Sequence, residues 1–152
     1  MLTQIYNAHV LTPEGWINGG SVIIEDRRIK EVSKSSRQLD GMDKTIDAHG
    51  MHVVPGGIDL HCHGGGGSDF QECTREAFET AALTHLRHGT TAIYATLSSS
   101  PIDMMEKACQ TCDDLMQEGN STIMGMHMEG PYFNPRRAGA QMPEVIRIPE
   151  PD

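Results

Sequence analysis

The stretch IDLHCHGGGGSDF, Ile58 to Phe70, sets two histidines one residue apart and follows them with four glycines. In extended backbone, residues i and i+2 face the same side. His61 and His63 therefore aim at one point, while Cys62 turns away. Imidazole nitrogen suits zinc, iron and other borderline ions at about 2.0–2.1 Å. The glycines let the chain turn sharply and pass close to a ligand without a Cβ in the way. A polar strand running into a flexible loop would show the same spacing, so the flanking sequence has to decide between the two readings.

Downstream, the rhythm is strand–helix–strand–helix–strand. Residues 74–88 place Ala77, Phe78, Ala81, Ala82 and Leu86 on one helical face, and Gly89 ends the pattern. TTAIYATL, from Thr90, is β-branched and apolar, as in a strand covered on both faces. Pro101 to Glu118 reads as a second helix, with Ser100 as N-cap, Pro101 in its first position and Gly119 after it. STIMGMHMEG, ending at Gly130, is a third strand, and a proline-rich loop follows. Short connections in this order give a parallel sheet with right-handed crossovers, whose chemistry gathers at the carboxyl ends of the strands. His61 and His63 fall at the end of the first strand and Glu129 at the end of the third.

Upstream, residues 1–54 form a small β module. LTQIYNAHVLT is a strand, Pro13-Glu14-Gly15 a turn, and GGSVIIEDRRIKEVSK a hairpin around Glu25-Asp26-Arg27-Arg28. KTIDAHGMHVVPG supplies two further extended pieces broken at Gly50. The expected class is α/β: the first part of a barrel over residues 55–152, about three strands, preceded by part of a β-sandwich.

Net charge is −9 with a pI near 5.2, and the only basic doublets, Arg27-Arg28 and Arg136-Arg137, read as solvated loops. This balance argues against nucleic acid or an anionic membrane as partner. No run approaches the ~20 apolar residues of a membrane span, and the four cysteines fit a reducing compartment. A cytoplasmic location is expected. The ten methionines read as core filler. Cys109-x-x-Cys112 has redox or zinc spacing but no second pair, and reads as two buried thiols on a helix.

Glu129 can approach the point shared by His61 and His63 from a neighbouring strand end. Asp59, at i−2 from His61, is a candidate hydrogen-bond acceptor behind the ligands. His127 shares a face with Glu129 and is a ligand, a supporting group or inner packing, the latter two being favoured. His9, His49, His52, His85 and His88 have no partner at a telling spacing.

Two segments carry a resemblance. VVPGGIDLHCHGGGGSDF is similar to the first barrel strand of the amidohydrolase superfamily, where His-x-His ligates a metal. GMHMEGPYFNPRRAGAQMPE resembles the Glu-Gly-Pro segment of the N-acetylglucosamine-6-phosphate deacetylases within it. The resemblance implies metal ligation by His61, His63 and Glu129, with one or two divalent ions, zinc or iron. It implies contact of the Gly139-Ala140 backbone with a phosphorylated amino sugar, and Gln141 stands where that family usually has His. It also implies a homodimer, and removal of acetate from N-acetylglucosamine 6-phosphate.

No catalytic acid/base is expected in this chain, because the family's Asp lies on strand eight and two further histidines on middle strands. A full barrel takes about 250 residues, at least about 200, so an N-terminal fragment is expected, inactive alone and associating through open sheet edges. The alternatives are another amidohydrolase, dihydroorotase-like or aminoacylase-like, and a non-catalytic metal-binding or assembly module.

Overall fold

The computed structural model describes residues 1–150, which divide after Pro55 into two compact units. In the first, β1 (Leu2–Thr12) runs antiparallel to β2 (Gly15–Glu25), with Leu2 opposite Glu25 and Thr12 opposite Gly15. β3 (Arg28–Ser33) returns along β2 after the Asp26-Arg27 turn, where Asp26 takes a positive φ. β4 (Lys44–Asp47) and β5 (His52–Val53) both lie parallel to β1, one after the other along its length. Strands β1 and β2 bring Ala8, Val10 and Val22 together with Ala48, and Ile5, Ile17, Ile24 and Val53 pack around them. This is one mixed five-stranded sheet. The second layer of the expected sandwich is not among the described residues.

The second unit is a three-stranded parallel sheet in the order β10-β9-β6: β6 is Gly57–Cys62, β9 Thr90–Ser98 and β10 Ile123–Glu129. Between β6 and β9 come a two-rung hairpin, β7 (Gly64–Gly65) and β8 (Ser68–Asp69), and helix α1 (Arg75–Arg87). Thr74 caps α1, its hydroxyl accepting the Ala77 N–H at 3.3 Å. Helix α2 (Ile102–Glu118) links β9 to β10 and ends at Gly119 in the left-handed conformation, φ 70°. Phe78, Ala81, Met105, Ala108, Cys112 and Leu115 of the helices close over Ile93, Ala95, Leu97 and Ile123 of the strands. Arg75 of α1 forks onto Glu118 of α2 at 2.6 and 3.1 Å, which holds the Glu118 carboxyl below its ordinary value.

Several local expectations are corrected. Ser100 does not cap α2; Pro101 stands at that position, and the Ser100 hydroxyl donates back to the Ser98 carbonyl at 2.9 Å. Leu86 is 43% exposed, because beyond Ala82 the helix face opens into a groove walled by Leu83, Leu86, Leu115 and Thr122. Cys112 is buried but Cys109 is exposed, since the core stripe of α2 runs through Met105, Ala108, Cys112 and Leu115 and leaves Cys109 outside it. β9 is covered by helices on one face only: Ile93, Ala95 and Leu97 are buried, while Tyr94 is 38% exposed on the other. Of the methionines, only Met105 is buried outright, and Met1, Met51, Met116, Met124 and Met142 are exposed.

Candidate metal centre

Sheet register places the centre. β6, β9 and β10 run parallel, so their carboxyl ends lie side by side, with Cys62 opposite Ala95 and Glu129 opposite Ser98. His61 and His63 leave the end of β6 on the inner face of the sheet, away from the helices, and Glu129 leaves the end of β10 toward them. His61 Nε2 lies 3.2 Å from His63 Nε2; Glu129 Oε2 lies 3.3 Å from the latter and 3.9 Å from the former. A point equidistant from these three atoms is about 2.0 Å from each, the length of a zinc–imidazole or zinc–carboxylate bond. The donors thus fit a divalent ion, with positions left open on it for further ligands.

The surroundings fix these side chains. Ser98, at the end of β9, sets its hydroxyl 3.3 Å from His63 Nδ1, which leaves Nε2 facing the shared point. The fully buried Thr96 accepts the Cys62 backbone N–H at 3.0 Å, pinning the chain between the two histidines. The same hydroxyl lies 3.2 Å from His127 Nδ1, and the His127 ring packs 4.7 Å from that of His61. His127 is therefore a neighbour of His61 held from behind, outside the triangle of donors.

Asp59 takes a different place from the one its spacing implied. β6 is irregular between Asp59 and Cys62, and Asp59 Oδ1 accepts the backbone N–H of His61 at 3.1 Å instead of a ring N–H. Its carboxylate approaches Cys62 and His85, not the ligand rings. The Cys62 thiol, pushed above its ordinary pKa by burial, lies 3.0 Å from His85 Nε2. Nothing in the spacing of His85 marks it, because its neighbours come from a strand more than twenty residues earlier.

The glycines act at defined contacts. A Cβ on Gly64 would sit 2.1 Å from the Ser68 carbonyl oxygen, so only glycine permits the hairpin that follows His63. Gly130, with φ 116°, follows Glu129, and a Cβ there would meet Ser99 Oγ at 2.0 Å. Gly139 and Ala140 lie exposed on the loop beyond β10. Gln141 ties that loop to the centre, its Oε1 accepting the Ser99 N–H at 2.9 Å, while the Ser99 hydroxyl donates to the Glu129 carbonyl.

Comparison with known proteins gives the chain a family. The profile described as Amidohydrolase family matches residues 52–150. An N-acetylglucosamine-6-phosphate deacetylase of Haemophilus influenzae is 29% identical over all of this chain and 40% of its own length. An N-acetylgalactosamine-6-phosphate deacetylase of Escherichia coli O157:H7 is 27% identical over 96% of this chain and 38% of its own. The crystal structure of the N-acetylglucosamine-6-phosphate deacetylase from Pasteurella multocida superposes with a TM-score of 0.91 at 26% identity, over 99% of this chain and 40% of that one. The chain spans about two fifths of the length of the relatives it matches, 40% for the first of them. It belongs to the amidohydrolase family.

Proposed function

From that family membership we propose that His61, His63 and Glu129 hold a divalent metal, zinc or iron, that serves hydrolysis of the N-acetyl amide of N-acetylglucosamine 6-phosphate. The convergence of two imidazoles and a carboxylate at adjoining strand ends carries the reading. The match of nearly the whole chain to deacetylases of N-acetylated sugar 6-phosphates supports the substrate class. A bound ion supplies Lewis acidity and acidifies water toward neutrality.

The chain's own residues present and orient the donors. His61 and His63 offer Nε2, Ser98 holds the His63 ring, Thr96 holds the Cys62 backbone between the two histidines, and Gly130 sets the direction of Glu129. The Gly139-Ala140 backbone offers groups to the sugar, and Gln141 in place of histidine fixes this loop through Ser99 without adding a titratable ring at that position.

No further carboxylate stands among these donors, so the proton transfer to the leaving amine needs a group from outside them. We accordingly propose that the 152-residue chain alone binds metal and does not turn over, and that it works with the remaining barrel strands, as a homo-oligomer in the cytoplasm. No helix among the described residues is long and apolar enough to cross a membrane.

The test is metal analysis of the purified chain beside Glu129→Ala. Glu129→Ala should remove the ion bound at this centre; metal content unchanged by that substitution would overturn the assignment. Acetate release from N-acetylglucosamine 6-phosphate by the chain above a His61→Ala/Glu129→Ala control would overturn the claim of inactivity.

A further inference from the structure

The outer side of the same strand carries a second set of ligand-type atoms. Cys62 Sγ, His85 Nε2 and a carboxylate oxygen of Asp59 lie within 4.8 Å of one another. A fourth donor stands among them: the Gly64 carbonyl oxygen is 3.2 Å from Cys62 Sγ and 2.9 Å from His85 Nε2. The His85 ring reaches this position because Gly65 has no side chain; a Cβ there would lie 2.9 Å from His85 Nε2. Strand β6, the hairpin and helix α1 all contribute, and none of these groups belongs to the inner triangle.

Hydrogen bonds can fill at most two of the three short contacts in this cluster. Sulfur, nitrogen and carbonyl oxygen form a closed triangle with edges of 3.0, 2.9 and 3.2 Å. The carbonyl accepts only, and the thiol and the neutral imidazole bring one proton each. If both protons turn to the carbonyl, sulfur and nitrogen face each other at 3.0 Å with nothing between them. If either proton turns to the other atom, the carbonyl keeps one donor and one edge of the triangle again carries no proton. A cation capping the triangle satisfies all three at once, with the Asp59 carboxylate offsetting its charge. Edges near 3 Å correspond to about 90° between bonds of about 2.0–2.3 Å, the angle of a five- or six-coordinate ion and not of a tetrahedral one.

We propose that Asp59, Cys62, His85 and the Gly64 carbonyl form a second, thiolate-containing metal site on the outer face of β6, taking a divalent transition ion of the cobalt, nickel or iron type. Imidazole, thiolate and carboxylate together suit such borderline ions. Asp59 and His85 are half-buried, which gives an ion a way in, while Cys62 closes the inner side. The site shares no ligand with the inner centre and stands whether or not that centre is loaded.

Cobalt(II) is the probe, because sulfur-to-cobalt charge transfer gives a near-ultraviolet band that a site of imidazoles and carboxylate alone lacks. Titration of the metal-free chain under reducing, anaerobic conditions should produce this band. It should persist in His61→Ala/His63→Ala/Glu129→Ala and vanish in Cys62→Ser. Asp59→Asn and His85→Gln should weaken cobalt binding at least tenfold, with helical circular dichroism checking that each variant is folded. No charge-transfer band in the parent chain, loss of the band in the triple variant, or a band surviving Cys62→Ser would overturn the site. If Cys62→Ser does not fold, the other two variants decide: cobalt affinity unchanged in both would overturn it.

Discussion

Replacing Thr96 by valine keeps the shape of a fully buried side chain and removes one hydroxyl. That hydroxyl accepts the Cys62 N–H at 3.0 Å and lies 3.2 Å from His127 Nδ1. A buried donor stripped of its acceptor costs about 1–3 kcal/mol. The Cys62 amide lies under a nearly closed core and bears this in full, whereas the half-buried His127 ring recovers part of its loss from water. The expected destabilisation is therefore about 2–3 kcal/mol. Thr96→Ser keeps the hydroxyl and loses a methyl, at about 1 kcal/mol. Urea unfolding followed by helical circular dichroism isolates the second unit, because both α-helices lie in it. The order of the two variants is the decisive result. If the serine variant is less stable than the valine variant, the methyl and not the hydroxyl holds the strand end, and the account of how His61 and His63 are positioned fails. Metal content should follow the same order, lower in Thr96→Val than in Thr96→Ser.

Other expectations follow from the core and the edges. Burial pushes the Cys112 thiol from 9.0 up to about 11, and raises Cys62 and Cys73 as well, while Cys109 is exposed. A thiol-reactive disulfide at pH 8 should label one cysteine quickly in the folded chain; rapid labelling of a second, mapped by peptide mass to Cys112, would contradict the packing of α2. Because its folded value is the higher one, the contribution of Cys112 to stability is whole below about 9 and lost as pH rises through about 11, which a series of urea midpoints should show. Phe78→Ala removes a fully buried ring that meets Phe70 edge-on at 4.8 Å, and should cost about 3–5 kcal/mol. Among the described residues β6 and β10 pair on one side only, and Ile58 and Leu60 of β6 are 68% and 64% exposed. Light scattering at micromolar concentration should find associated chains, and Leu60→Lys should shift them toward monomer; a clean monomer in the parent would refute this.

How much of this was legible in the sequence depends on the distance over which each feature is decided. Strand β1 runs from Leu2 to Thr12, the bounds its extended pattern gives, and the helices fall within a residue or two of their apolar periods. His61 and His63 were visible because strand geometry alone puts i and i+2 on one side, and Glu129 because parallel strands end together. The misses lie where another element intervenes. Cys62 and His85 meet across twenty-three positions, and only the fold of the glycine hairpin against α1 brings them together. Asp59 follows strand alternation on paper, but the irregularity before Cys62 turns it to the backbone of His61. Ser100 has a capping side chain, yet its hydroxyl donates to the local Ser98 carbonyl and accepts from Gln71 of a distant segment.

The middle strand supplies none of the three inner donors, yet they meet only through it. β6 brings the histidines, β10 brings the glutamate, and each is hydrogen-bonded to β9 and not to the other. An amide-exchange experiment should then see β9 as the slowest-exchanging strand and the outer two as local openings of lower free energy. When β10 frays, the carboxylate departs and leaves the imidazole pair behind; when β6 frays, both imidazoles go at once. Ion release would in this way have two unequal doors, and a metal-loaded chain should slow exchange at the ends of both outer strands together, because the ion ties them across the strand that separates them.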